Sequence, residues 1–153
     1  MKFLTSILTN PFLIATVAAW FFAQLSKVFI HWGIYKKFDI RRFLGDGGMP
    51  SAHSATVMAL TVFTGCYYGF DSFQLAACAV LTIIVCRDAV GVRMETGKQA
   101  KIINDLREYV IEFGKGEIDE TKLKEFVGHT PLQVLVGLML GTVVALIFAW
   151  ILI

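Results

Sequence analysis

Four apolar stretches, at 11–31, 51–69, 73–92 and 131–153, constrain this chain more than anything else in it. Each approaches the length of roughly 20 residues that a helix needs to cross the hydrocarbon core of a bilayer. A helix suits that setting because it satisfies its own backbone polar groups. The first stretch carries no charge before Lys27. Hydrophobic residues make up 56% of the 153-residue chain and charged residues 17%, and mean hydropathy is +0.66. That is the composition of a membrane protein. The expectation is an all-α integral membrane protein: one domain, a bundle of about four transmembrane helices, and a helical cytoplasmic insertion over 94–127.

Small residues and charges orient the bundle. Ala15, Ala19 and Ala23 repeat at i+4, a ridge that lets a second helix pack closely. Lys27 is the next step on that ridge, so it is expected to face the bundle near one membrane surface. Residues 32–50 form a polar loop in which Lys36, Lys37 and Arg41 read first as positive-inside anchors. Phe70-Asp71-Ser72 is a tight turn without a basic residue. Beyond the third stretch, Ile102, Ile103, Leu106, Tyr109, Val110 and Phe113 recur at helical spacing. Gly114 to Gly116 should break that helix, and Asp119 to Val127 reads as a second short one. Thr130-Pro131 has the form of an N-cap followed by a first helical residue. Both basic segments are expected on the cytoplasmic side, with both termini opposite. The net charge of +2 gives no case for a nucleic-acid partner. Cys66, Cys78 and Cys86 lie in apolar runs without metal-ligand spacing, so free thiols are expected.

This topology would gather the polar residues at one membrane face: Lys27, Ser51 with His53, Arg87, Asp88 and Arg93, and His129. Ionisable groups in or near spans are costly and usually functional. At the centre lies Gly47-Gly48-Met49-Pro50-Ser51-Ala52-His53-Ser54, a glycine turn followed by a helix start. Unpaired N–H groups at such a turn and helix N-terminus suit a phosphate. Arginine's planar fork suits two phosphate oxygens. One histidine could attack phosphorus and the other protonate the leaving oxygen. Carboxylates with magnesium-site spacing are not seen, so metal-independent phosphoryl transfer without a cofactor is expected. The partner would be a phosphate head on an apolar tail, met at the bilayer surface.

Three ordered motifs carry a family resemblance. They are residues 47–54; Asp88-Ala-Val-Gly-Val-Arg93 with Gly97-Lys-Gln-Ala100; and Gly128-His-Thr-Pro-Leu-Gln-Val134 with Gly137 and Gly141. The chain resembles the divergent branch of the type 2 phosphatidic acid phosphatase superfamily, which includes lipid phosphate phosphatases and vanadium haloperoxidases. The resemblance runs from about Lys27 to Gly141. It implies that Lys27, Arg42 or Arg41, Gly48, Ser51, and Arg93 or Arg87 bind phosphate. It also implies that His53 is the general acid and His129 the nucleophile of a phosphohistidine intermediate. Gln133 stands where the classical motif has aspartate, and an amide orients an imidazole without supplying charge. Asp88 is the candidate for the missing carboxylate.

Three functions stay open at this level. The first is a membrane phosphatase for a lipid or isoprenoid phosphate, its active site on the cytoplasmic face. The second is a non-catalytic lipid-phosphate binding or transport protein. The third is a structural partner in a membrane complex, suggested by Gly137-xxx-Gly141 and Gly65-xxx-Gly69. Four spans are fewer than in the classical lipid phosphatase core, which leaves room for a homo-oligomer in which a neighbouring subunit completes the site.

Overall fold

Asn10 and Pro11 set where the first long helix begins. The Asn10 side chain accepts from the N–H groups of Phe12 and Leu13, and Pro11, which has no N–H to satisfy, takes the first helical position. The computed structural model describes residues 2–36, 38–43, 45, 48–112, 122–123 and 128–153. After a short α1 (Lys2–Leu8), α2 runs Pro11–Tyr35. It passes the expected end at His31 and stops at Lys36, which adopts a left-handed φ of 55°. A single 3-10 turn (Ile40–Phe43) lies in the following loop. Then come α3 (Ala52–Tyr68), α4 (Phe73–Val90), α5 (Val92–Glu112) and α6 (Pro131–Leu152). Among the described residues there is no strand.

Caps explain the remaining boundaries. Ser51, Ser72 and Thr130 each accept a backbone N–H of the turn they precede, starting α3, α4 and α6. Gly91 separates α4 from α5, so the amphipathic helix starts at Val92, straight after the apolar one. The expected break at Gly114 to Gly116 lies outside the described residues. So does most of the expected helix from Asp119 to Val127; Lys122 and Leu123, which are described, are not helical. Leu123 is clamped by the buried Asn104 side chain, which exchanges two hydrogen bonds with its backbone, at 2.9 and 3.0 Å.

The centre of the bundle is α3, which packs on α2, α4 and α6. The core is built largely from small residues: Ala15, Ala19, Ala59, Ala145 and Ala149 with Phe63 and Val144 at one level, and Ala23, Ala52 and Ala55 at the other. Ala15, Ala19 and Ala23 are fully buried, and Lys27, the next step on that ridge, is 7% exposed. The glycines of α6 permit the closest approach. A Cβ on Gly137 would stand 2.5 Å from the Ser51 carbonyl oxygen, and one on Gly141 2.3 Å from that of Ala55. The Gly137-xxx-Gly141 motif is therefore used inside the chain. Gly65 likewise backs onto Phe70 and Leu75 of the same chain. These motifs carry no case for an external helix partner.

Outward faces are apolar. Val17, Phe21, Phe29, Ile83, Ile84, Met139 and Trp150 are among many large exposed hydrophobic side chains, the expected surface of a helix in lipid. Only Thr82 and Ala89 of α4 are buried, and Thr82 holds α4 to α3 through a 2.8 Å hydroxyl contact with Thr61. Among the described residues, three segments are long and apolar enough to cross a membrane: Pro11–Tyr35, the stretch Phe73–Glu112 that contains α4 and α5, and Pro131–Leu152. The central α3 is 17 residues long. All three cysteines are free thiols of intermediate burial.

Candidate active site

Helix directions alternate, so one end of the bundle collects the stretch of α2 from Ala23 to Lys27 and the end of α4 with the first turns of α3 and α6. A hydrogen bond from Ser51 N–H to the Gln133 carbonyl (3.0 Å) ties the two helix starts together. Both therefore turn the positive ends of their dipoles toward the same place. In α3 the Ser54 N–H is taken by the Ser51 hydroxyl oxygen. The N–H groups of Ala52 and His53, in the first turn, have no acceptor within the helix. Gly48, at φ +82°, supplies the left-handed turn just before it.

His129 occupies the middle of this end. The residue is 5% exposed, and its backbone N–H donates to the Ala89 carbonyl at the end of α4 (3.1 Å). The ring is aimed by the cap of α6. Thr130 accepts from the Gln133 N–H, and Gln133 Oε1 accepts from the Thr130 N–H at 3.1 Å, a complete capping box. The same Oε1 lies 3.2 Å from His129 Nδ1. Because that oxygen can only accept, Nδ1 must carry the proton in the neutral ring, and Nε2 carries the lone pair. The ring of His53 is exposed at the start of α3, with its centroid 6.2 Å from that of His129.

Electrostatics favour the uncharged ring. His129 is held below its ordinary value of 6.5, first by burial and then by the positive charges of Lys27, His53 and Arg93, while the hydrogen bond to Gln133 opposes the shift. Lys27 is buried, and its Nζ donates to the Gly45 carbonyl at 3.4 Å.

Arg93 returns to His129 despite the 35 intervening residues because Gly128 crosses directly over the start of α5. A Cβ on Gly128 would lie 2.4 Å from Met94 Cα and N and 2.8 Å from the Arg93 carbonyl carbon. The insertion leaves and re-enters at one point. Arg87 is exposed, and Arg93 is one of the cations that lower the His129 value. Asp88 pairs with Arg93 Nε across the Gly91 break. The ring contact sought from Asp88 is made by Gln133 instead. Ser51 is fully buried, and its oxygen is engaged by Ser54 N–H and, at 3.0 Å, by Ser54 Oγ. The side chains of Arg41 and Arg42 lie outside what the structure describes.

A cavity of about 290 Å³ adjoins His129, lined by Met94, Gly97, Lys98, Lys101, Gly128, His129 and Thr130. The four α5 residues are spaced i, i+3, i+4 and i+7, one face of the helix. Lys98 belongs to the Gly97-Lys-Gln-Ala100 motif, but neither it nor Lys101 is among the sequence-predicted site residues; their shared spacing with Met94 and Gly97 is the signal that could have found them.

A sequence profile described as "Divergent PAP2 family" matches residues 8–144. The chain is also 39% identical over 153 aligned positions to "Uncharacterized membrane protein YuiD" of Bacillus subtilis (strain 168), covering 94% of this chain and 97% of that one. No solved structure matches. With its apolar helices and membrane-protein relative, this is an integral membrane protein, and the chain belongs to the divergent PAP2 family.

Proposed function

We propose that this chain is a membrane-embedded, metal-independent phosphatase acting on a lipid or isoprenoid phosphate through a phosphohistidine. One observation carries the reading: the α6 capping box holds Nδ1 of a buried His129 through Gln133 Oε1, leaving the Nε2 lone pair for attack. The first turn of α3, Gly48 and the cations Lys27 and Arg93 bind the phosphate oxygens. Nε2 attacks phosphorus, an N–P bond forms, and the P–O bond to the lipid breaks. His53 protonates the departing oxygen. Water then attacks the phosphohistidine and releases inorganic phosphate. Exposed apolar faces beside the site suit a substrate whose tail stays in the bilayer, and the basic loops favour the cytoplasmic leaflet.

The test is phosphate release by purified protein in detergent from phosphatidic acid, farnesyl phosphate and a longer polyprenyl phosphate, without added metal. Release should vanish in His129→Ala while the protein stays folded, and acid-labile phosphate on His129 should be trapped by rapid quenching. Release that persists in His129→Ala would refute the mechanism.

A second reading has its own observation. Gln133 supplies no negative charge to an imidazolium, and Asp88 is committed to Arg93. A protein that binds lipid phosphate without cleaving it would have this arrangement. It predicts binding that survives His129→Ala and weakens in Arg93→Ala, with no release by the parent chain.

A further inference from the structure

Gly91 makes a corner between α4 and α5. Its φ of −101° and ψ of −96° interrupt the helix. In an unbroken helix the Ala89 carbonyl would accept from the Arg93 N–H; here it accepts from His129 N–H at 3.1 Å. A Cβ at Gly91 would stand 2.8 Å from the Arg87 carbonyl oxygen, so the corner needs its glycine. With Gly128 also against Met94, α5 starts level with the end of one span and the beginning of another. Beyond the corner, α5 packs on no helix but α4 among the described residues. It is the most amphipathic of the long helices. One side is covered by its own chain: Gly97, Ala100 and Asn104 are buried, and Asn104 holds Leu123. The opposite side is bare. Ile102, Leu106 and Tyr109, spaced i, i+4 and i+7, are 59–66% exposed, with Ile103 beside them at 51%. The exposed Ile83 and Ile84, two turns before the corner, belong to the lipid-facing surface of α4. The bare side of α5 thus follows a surface already in lipid.

We propose that α5 lies in the plane of the leaflet surface at the site end of the bundle, its Ile102, Leu106 and Tyr109 face seated between head groups and acyl chains. An amphipathic helix with a polar back takes that position, and tyrosine favours that depth. The occupant of the face is lipid, not a second copy of the chain. Four basic and four acidic side chains balance over Val92–Glu112, so the apolar face and not attraction to anionic lipid holds the helix down. The first turns of the same helix line the cavity beside His129, and the seat sets that cavity at head-group depth. The inference rests on the membrane assignment and is independent of the phosphatase reading.

The experiment places a fluorophore on single cysteines in the full chain without its three native ones, reconstituted one copy per nanodisc in phosphatidylcholine. Leu106→Cys and Ile102→Cys sample the apolar face, and Asp105→Cys, next in sequence to Leu106, samples the polar side. All three positions are exposed, so labelling leaves the core intact, and unfolding midpoints check this. Nitroxide lipids labelled near the head group or near the chain end serve as quenchers, with iodide as the aqueous one. The labels at 106 and 102 should be quenched by the head-group nitroxide at least about twofold more than by the chain-end one, as a depth of about 5–10 Å into the boundary requires. The label at 105 should be quenched mainly by iodide. Replacing part of the phosphatidylcholine with phosphatidylglycerol should leave this pattern unchanged. Iodide quenching of all three labels would overturn the proposal, since α5 would then stand in water. Stronger quenching by the chain-end nitroxide would overturn it in favour of a buried span. Labels at 106 and 102 shielded from iodide and from both lipids would show that protein covers the face. Shielding that appears only with two copies per nanodisc would identify that protein as a second copy, and either result sinks the lipid seat.

Discussion

The ring of His129 is oriented by an uncharged amide, and this sets a limit on its chemistry. An imidazole that attacks phosphorus becomes positively charged, and Gln133 can direct that ring but cannot neutralise it. In a serine protease, the reverse exchange of aspartate for its amide costs about 10⁴ in turnover. Gln133→Glu keeps the side-chain length, the acceptor oxygen and the capping box, since glutamate also serves at that position. It should raise turnover at least about tenfold by supplying the missing charge. The pH dependence follows with its sign. Burial and the neighbouring cations hold wild-type His129 below 6.5, so the neutral nucleophile persists into mildly acidic solution. A carboxylate at 133 favours the imidazolium, so the acidic limb of the pH–rate profile should move to higher pH. A limb that stays in place would mean that His129 is not the titrating base. The same depressed value has a consequence for folding. Below 6.5 the unfolded chain binds a proton that the folded chain resists, so stability falls with pH until the folded value is passed.

Helix pairing in this protein depends on atoms that are missing. Where α6 crosses α3, Gly137 and Gly141 bring backbone against backbone, and the alanine ridge of α2 does the same from another side. Gly141→Val should force the two helices apart and lower stability by about 1–3 kcal/mol, the usual cost of overpacking a filled core. Because Ser51 and Gln133 join the same pair of helices, activity should fall with it. Gly33 provides the contrast. It lies in α2 with nothing within 4 Å of an added Cβ, so Gly33→Ala should be neutral or stabilise by up to about 1 kcal/mol through helix propensity. Unfolding midpoints in one detergent would compare the two. Equal losses would show that close approach is not what these glycines provide.

At the scale of the molecule, alternating helix direction brings Lys27, Ser51, His53, Arg93 and His129 to one end and puts the Phe70 to Ser72 turn at the other. We expect four crossings with the site end cytoplasmic, α3 spanning at the centre of the bundle, where its neighbours shield it. Cysteines introduced singly at Lys98 and Asp71, in a chain lacking the three native ones, should label with membrane-impermeant reagent from opposite sides. Lys98→Cys should react from the cytoplasmic side. Labelling of both from one side would rule out this arrangement.

Local features are legible in the residues alone. Helix class follows from apolar length. The starts of α3 and α6 follow from Ser51 and from Thr130-Pro131, because a cap acts within four residues of itself. The burial of Lys27 was legible because it continues the ridge of Ala15, Ala19 and Ala23 at a fixed helical spacing. Features that depend on where helices cross came from the packing. Gly128 lies against Met94, and this brings the start of α5, with Arg93, back beside His129 across a long insertion. Asp88 turns to Arg93 and leaves the ring to Gln133. Lys98 and Lys101 enter the site only because α5 folds back beside the start of α6. Local periodicity says which face a residue shares with its neighbours. It carries no information on which distant segment packs against that face, and the chemistry here is assembled from such meetings.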